Sequence, residues 1–313
     1  MKRQKSERHH WWPEGVSERW KNPGGVTHWL KPDGQTVTAP PKNFGVIGNG
    51  HFIMLGQMPE DVTPWDENFE KVFQKADDEF PHLIDWMESL ERKTDVDPRD
   101  VSGRYLAQTA DDTTLAALTE SVVSLAVRSP MNRAAACGLA EKFRGRLPPR
   151  ERNSIIGLNM RLTQRKVSDT IGCRAKFCVI FSQEREFIFG DGFCSNIRSP
   201  GEGLMTHRVL APITRNMAVL IVRPQRCRPD PRLVTIVATA ADVDAMNHAV
   251  QVYAKDALYY RSERPEIIDA FSRAQHLIYS RPDNPIEAFV HTLPGVPPRD
   301  TTFDHLAALF DRD

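Results

Sequence analysis

An aspartate at the end of a predicted buried strand is the first candidate for chemistry in this sequence. Asp191 follows the apolar segment 187–189 and is flanked by Gly190 and Gly192. A carboxylate that glycines release from the end of a strand can face a cleft, where it suits a general base or a metal ligand. The alternative is an Asx-turn, in which Asp191 accepts hydrogen bonds from the following backbone N–H groups and ends the strand.

A second candidate lies in the N-terminal segment 8–14, which reads Arg-His-His-Trp-Trp-Pro-Glu. Imidazole titrates near neutrality, so a histidine here suits a divalent metal ion or a proton relay. Neighbouring residues of an extended chain point to opposite sides, so one histidine at most faces a given site. We take His10 as the candidate. The alternative is an arm whose tryptophans pack on the core.

The remaining candidates would position a substrate or another site residue. Asn247 falls on the apolar stripe of a predicted helix and would orient Asp191 or His10; alternatively, this amide bonds a strand backbone, since a buried amide must be satisfied. Arg215 would hold an anion, or form an ordinary surface pair. Asn216 and Trp11 complete the substrate-binding candidates, although Asn216 also fits a turn before a strand.

Basic and aromatic residues raise the possibility of a nucleic-acid partner. The N-terminal arm and the loop 223–232, which holds Arg223, Arg226, Arg228 and Arg232, could together grip a phosphate backbone and stack bases. Against this, 41 basic residues balance 41 acidic ones, so no global field attracts nucleic acid. The alternative is a set of ordinary solvated charges.

Composition bounds the class of protein. A chain of 313 residues can bury a sizeable core. Its longest apolar run, 217–222, is far shorter than the roughly 20 residues that span a bilayer, and no apolar signal segment follows the basic N-terminus. Five cysteines without a C-x-x-C pair disfavour disulfide frameworks and cysteine-rich zinc sites. We therefore expect a cytoplasmic protein without a membrane partner.

The elements that would position these residues begin with a hairpin and continue with helices. Turn residues at 31–34 predict a β-hairpin over 26–38, and a short strand is expected at 51–55. A capping box at 63–66 predicts a first helix, with a separate second helix over 83–90. Apolar spacing predicts a further helix with its stripe over 115–125, another from 130 to about 143 and another from 149, where Ser-Pro and Pro-Pro steps act as boundaries.

The period then changes to that of strands. Segments 177–181 and 187–189 are predicted strands joined by a polar turn, and 217–222 and 233–238 are two more. The residues between Asp191 and the third strand read as a loop. A capping box at 239–242 predicts a helix, 281–298 reads as irregular chain, and a last short helix is expected at 303–310.

Runs of helices followed by runs of strands predict an α+β fold. We expect a helical middle region packed on a mainly antiparallel sheet, with the four strands of 177–238 in that one sheet and an N-terminal β-hairpin arm. Residues 1–60 form the arm of the main domain. Residues 61–280 form one α+β domain, with helices at 64–167 and sheet and helices at 176–275; residues 281–313 form a Pro-rich tail with a short docking helix.

Several short motifs occur in an order that resembles a bacterial family catalogued as domain of unknown function forty-two thirty-eight. That family opens with His-His-x-x-Pro-Gln, similar to 9–14 here, and has a strand ending in Ser-Asp-Asn-Pro, similar to 189–192. Two departures are Glu14 for the glutamine and Gly192 for the asparagine. The resemblance covers roughly residues 8–261 and implies no known activity; it does imply that His10, Asp191 and Asn247 meet in space.

These observations lead to two hypotheses of function. In the first, the protein is a hydrolase, a nuclease acting on phosphodiesters, in which Asp191 is the base or metal ligand and His10 a ligand or relay. A divalent metal is then a candidate cofactor. In the second, it is a non-catalytic binding or regulatory protein, in which the same polar residues pin the N-terminal arm to the sheet.

Overall fold

The computed structural model describes residues 8–48, 50–53, 67–94, 97, 99–193, 195, 207–223, 228, 230–279 and 283–298. The helices in this part of the chain are α1 (Glu14–Ser17), α2 (Lys71–Ser89), α3 (Asp112–Arg128), α4 (Pro130–Arg144), α5 (Pro149–Ile171), α6 (Ala240–Tyr253), α7 (Asp269–Ser272) and α8 (Pro285–Val290). The strands are β1 (Arg8–His10), β2 (Thr27–Leu30), β3 (Thr36–Ala39), β4 (Val46–Gly48), β5 (Phe52–Ile53), β6 (Glu67–Asn68), β7 (Leu106–Gln108), β8 (Lys176–Ser182), β9 (Phe189–Gly190), β10 (His207–Thr214), β11 (Met217–Arg223), β12 (Leu233–Ala238) and β13 (Leu258–Tyr260).

These strands form two larger sheets and two antiparallel pairs, β1–β4 and β5–β6. The larger has five strands in the order β10-β11-β8-β12-β7, and the smaller has four in the order β3-β2-β13-β9. Antiparallel pairing dominates, and the predicted N-terminal hairpin is present as β2 and β3. All seven residues of β8 are buried, which is typical of a central strand covered on both faces. The α+β prediction is confirmed.

The helices cover the large sheet and meet its strands through apolar side chains. α3 packs against α2 and α5 and reaches β10, while α6 lies against β9, β12, α7 and α8. Helix boundaries follow the expected chemistry. The side chain of Ser129 accepts the Asn132 N–H at the start of α4, and Thr239 and Asp242 form the predicted capping box of α6.

The prediction of one sheet for the segments 177–189 and 217–238 is wrong in two respects. Segment 187–190 does not pair with β8; β9 joins the small sheet beside β13. Instead, the side chain of Asn247 on α6 forms hydrogen bonds with the backbone of Glu186 and of Ile188. In addition, β12 runs parallel to β8 and lies on the side of β8 opposite to β11, so these two antiparallel strands are not neighbours in the sheet.

Three further boundaries differ from the predictions. α2 runs without a break across Pro81, although proline removes one backbone hydrogen bond, because Phe80 and Ile84 are fully buried on either side. The expected loop before Asn216 contains β10, whose inner residues are buried. The segment 281–298 contains α8, with Asn284 as its N-cap and Pro285 at its first position.

Two predicted helix signals, the capping box at 63–66 and the helix at 303–310, lie outside the described residues, as does the end of the strand predicted at 51–55. Among the helices that are described, none combines the length and the apolar character needed to cross a membrane.

Candidate functional site

The segment 186–193 lies between α6 and the small sheet, and its glycines explain its path. A Cβ atom added to Gly192 would lie 1.9 Å from the carbonyl oxygen of Tyr253, and one added to Gly190 would lie 3.0 Å from Cγ1 of Val250. Real Cβ atoms essentially never come within 3.0 Å of another heavy atom, so position 192 has no room for one and position 190 has very little. The glycines beside Asp191 therefore allow the end of α6 to pack against this segment, rather than releasing the carboxylate into a cleft.

The carboxylate of Asp191 accepts hydrogen bonds from the loop between α6 and β13. Oδ1 accepts the backbone N–H of Lys255 at 2.8 Å, and Oδ2 accepts that of Asp256 at 3.0 Å. Its side chain is buried, with 2% of the residue exposed. Burial raises the pKa of Asp191 above its ordinary value, while His276 and the two backbone N–H groups act in the opposite direction. Asp191 thus ties a buried strand end to a remote loop.

Asn247 holds the other end of the same segment. Its side-chain oxygen accepts the Ile188 N–H at 3.0 Å, and its side-chain nitrogen donates to the Glu186 carbonyl at 2.8 Å. Both halves of the amide are therefore used on backbone groups of an irregular strand. The expectation that Asn247 bonds a strand backbone is confirmed.

Of the two candidates from the N-terminal arm, Trp11 is part of the core. Trp11 is 5% exposed and stacks on Phe189, with ring centroids 6.1 Å apart. His10 ends β1 and is half-buried, and its carbonyl accepts Nη1 of Arg128 at 3.4 Å. Trp12 also stacks on Phe189, so the first aromatic residues of the arm face inward.

Arg215 and Asn216 form the turn between β10 and β11, and here the structure has a cleft. Arg215 makes an ion pair with the buried Glu186, at 2.9 Å. Asn216 is confirmed as a turn residue: its carbonyl accepts the Ser182 N–H, and its side chain accepts the Thr214 hydroxyl. The surrounding cleft has a volume of about 360 Å³.

Arg92 and Arg185 also line this cleft. We call it the arginine-lined cleft and define it by Arg92, Arg185 and Arg215. Arg92 lies over the ring of Phe181 at 4.4 Å, and Arg185 lies 3.7 Å from Asp244. The guanidinium of Arg92 has no ion-pair partner among the described residues. In the sequence, Arg92 fits a solvated helix face, because it follows the end of a helix far from the segment 182–186 that it meets.

Three glutamates line the arginine-lined cleft, Glu184, Glu186 and Glu263, and of these Glu186 is the buried one. It accepts the backbone N–H groups of Ser262 and Glu263 as well as the Arg215 guanidinium. Burial alone would raise the pKa of Glu186, but the hydrogen bonds from Glu263, Arg215 and Ser262 together outweigh it and hold the pKa below its ordinary value. The carboxylate is therefore charged at neutral pH and neutralises Arg215.

The basic loop expected to bind nucleic acid is described in part, because 224–227 and 229 lie outside the described residues. Within the described part, Arg232 binds Asp112 at 2.6 Å. With Trp11 and Trp12 buried as well, these residues give the nucleic-acid prediction no support.

Comparison with known proteins adds no family, since no family model, curated protein or solved structure matches the chain. The resemblance to the bacterial family of unknown function therefore stays a prediction, as do the roles proposed for its aligned residues.

Proposed function

We propose that the protein is a non-catalytic binding protein that holds a small polar ligand with an anionic group in the arginine-lined cleft. In this proposal Asp191 and Asn247 are structural residues. The observation that supports it best is the geometry of Asp191, whose two carboxylate oxygens both accept backbone N–H groups in a buried position. A general base needs an accessible oxygen within reach of its substrate, and this carboxylate offers none.

Among the cations of the cleft, Arg92 has no ion-pair partner in the described part of the chain and is the one on which this proposal rests. Glu186 neutralises Arg215, and Asp244 lies near Arg185. The exposed Glu184 and Glu263 also line the cleft, so Arg92 must bind the anion against their charge. The guanidinium carbon of Arg92 lies over the ring of Phe181, 4.4 Å from its centroid. A guanidinium can recognise a carboxylate or a phosphate group with two of its N–H groups. The exposed side chain of Asn216 adds a neutral hydrogen-bonding group at the same cleft.

The test is calorimetric titration with inorganic phosphate and with citrate. We expect Arg92→Gln to weaken the binding of these anions roughly tenfold or more, because a charge-assisted hydrogen bond contributes about 1.5–3 kcal/mol. Lys166→Gln is the matched control, since it removes an exposed cation from α5, away from the cleft.

An equal loss in Arg92→Gln and Lys166→Gln would mean that the anions respond to general charge, and it would contradict the proposal. So would an undiminished affinity in Arg92→Gln. Arg215 is unsuitable for this test, because its removal leaves Glu186 charged and buried without its cation.

A further inference from the structure

His9, His51 and Glu70 are brought together by three elements near the N-terminus. His9 is the central residue of β1 and pairs with Ile47 of β4. His51 follows β4, and its carbonyl accepts the N–H of Phe69. Glu70 is the next residue and forms the N-cap of α2. Pairing between β1 and β4 and the entry into α2 thus fix all three positions.

The donor atoms of these side chains are close enough to share one ion. One imidazole nitrogen of each histidine and one carboxylate oxygen of Glu70 lie within 4.8 Å of one another. Nε2 of His9 is 3.6 Å from Oε2 of Glu70. Two ligands about 2.1 Å from a tetrahedral ion are separated by about 3.4 Å, so this pair needs little movement to bind one.

We propose that His9, His51 and Glu70 bind a divalent transition-metal ion of the zinc type. Two imidazoles and one carboxylate are donors that zinc and its neighbours in the first row accept, whereas calcium and magnesium require mostly oxygen ligands. Three protein ligands leave at least one coordination position for water or another donor. Glu70 is on the solvent side, with 52% of its side chain exposed, and gives the ion its route of entry.

His51 is prepared for this role. Its ring lies 5.2 Å from that of Phe73 and 5.6 Å from that of Phe69, so its orientation is fixed by packing. Its Nδ1 is buried and has no hydrogen-bond partner within the described part of the chain.

Two features oppose the ion and set its expected affinity below that of a closed four-ligand site. The backbone N–H of His51 donates to Nδ1 of His9 at 3.2 Å, so a neutral His9 carries its proton on Nε2, facing Glu70. An ion bound at Nε2 must displace that proton. A neutral His9 then carries its proton on Nδ1, so the hydrogen bond from the His51 N–H must loosen. The second feature is positive charge: Arg128 and Arg133 both lie close enough to His51 to oppose a cation there, although Arg128 also pairs with Asp77.

The experiment is a titration of the tag-free, chelator-treated protein with Co²⁺, followed by absorption, and with Zn²⁺, followed by calorimetry. We expect one ion per chain, with the visible bands of a four- or five-coordinate Co²⁺ site that Zn²⁺ abolishes. Glu70→Gln should lower the affinity roughly tenfold or more, because it replaces the one charged ligand. Glu88→Gln, an exposed acid on the same helix, is the control and should bind as wild type does.

His51→Gln should remove the ion altogether. Should this buried substitution unfold the protein, Glu70→Gln still decides the question, because Glu70 is half-exposed. The proposal is overturned if wild type binds neither ion, or if Glu70→Gln binds both as tightly as Glu88→Gln does. Neither outcome bears on the arginine-lined cleft, whose residues are different.

Discussion

Asp191 illustrates how residues of the same type serve different purposes according to what surrounds them. A glycine-flanked aspartate after a strand is compatible with catalysis and with structure alike. Here the flanking glycines face the end of α6, and the carboxylate replaces water as the acceptor for two N–H groups of the loop between α6 and β13. The most specific property of this segment is the lack of room for a Cβ atom at position 192, where only glycine fits.

The first prediction at the residue scale concerns that space. Gly192→Ala should destabilise the protein by several kcal/mol or prevent its folding, since the new Cβ would lie 1.9 Å from the backbone oxygen of Tyr253. Gly138→Ala is the matched control. Gly138 is an exposed position of α4 with open space around its Cα, and the helix should gain about 0.5–1 kcal/mol. Urea unfolding of the two variants measures both values, and similar midpoints would refute this explanation.

At the scale of elements, α6 and the chain that follows it hold the segment 186–193 in place. Asn247 binds its start, Asp191 binds the loop after the helix, and Glu186 binds the backbone beyond β13. Within this segment β9 pairs with β13, whereas the residues before β9 have no strand partner among the described residues. Hydrogen bonds from polar side chains therefore hold those residues in place, as strand pairing does elsewhere in the sheets.

Glu186 makes this connection dependent on pH. Its folded-state pKa lies below the ordinary glutamate value of 4.5, so the folded state binds the proton less readily than the unfolded state does. The stability that it contributes is therefore complete above that value and is lost as the pH falls through the folded pKa.

We accordingly expect the difference in unfolding free energy between wild type and Glu186→Gln to be largest near about pH 7 and to shrink towards about pH 3. Urea unfolding at a series of pH values measures it. Glu184→Gln, at an exposed neighbouring position, should show a small difference that varies little with pH. A constant difference for Glu186→Gln would show that the carboxylate charge does not contribute.

The sequence predicted the elements whose signals are local. The hairpin β2–β3, the helices α3 to α6 and the strands β8, β11 and β12 all appeared near their expected positions, because turn residues, caps and apolar periods act within a few residues. The path of 187–190 did not follow from such signals. It depends on Asn247, some 60 residues later, and no local pattern records that contact.

At the scale of the whole molecule, the N-terminal arm is an internal part of the fold. Trp12 and Trp20 are fully buried, and the indole N–H of Trp20 donates to the Ile213 carbonyl of β10. The arm therefore connects the small sheet to the large one. Its aromatic residues contribute to stability at about 25 cal/mol for each Å² of apolar surface removed from water.

The candidate site was predictable in part. Arg215 and Asn216 were singled out together, and they do line one cleft, since neighbours in a turn stay neighbours in space. Arg92 and Glu186 were not, because they come from a helix end and a strand start that meet only after folding. Alternation along β1 predicts that at most one of its histidines faces a given site, and the structure buries His9 while His10 is half-buried. That difference depends on the pairing of β1 with β4, which no local pattern records.

The most direct test of the account is a comparison of wild type with Asp191→Asn, with unfolding free energy and hydrolysis of a phosphodiester measured on the same preparations. Asparagine keeps the size of the side chain but presents an NH₂ group to a backbone N–H, so we predict a loss of about 2 kcal/mol in stability. We also predict no divalent-dependent cleavage of RNA, DNA or bis(p-nitrophenyl) phosphate by either protein. Divalent-dependent cleavage by wild type that disappears in a variant of unchanged stability would contradict the structural role of Asp191 and restore the hydrolase hypothesis.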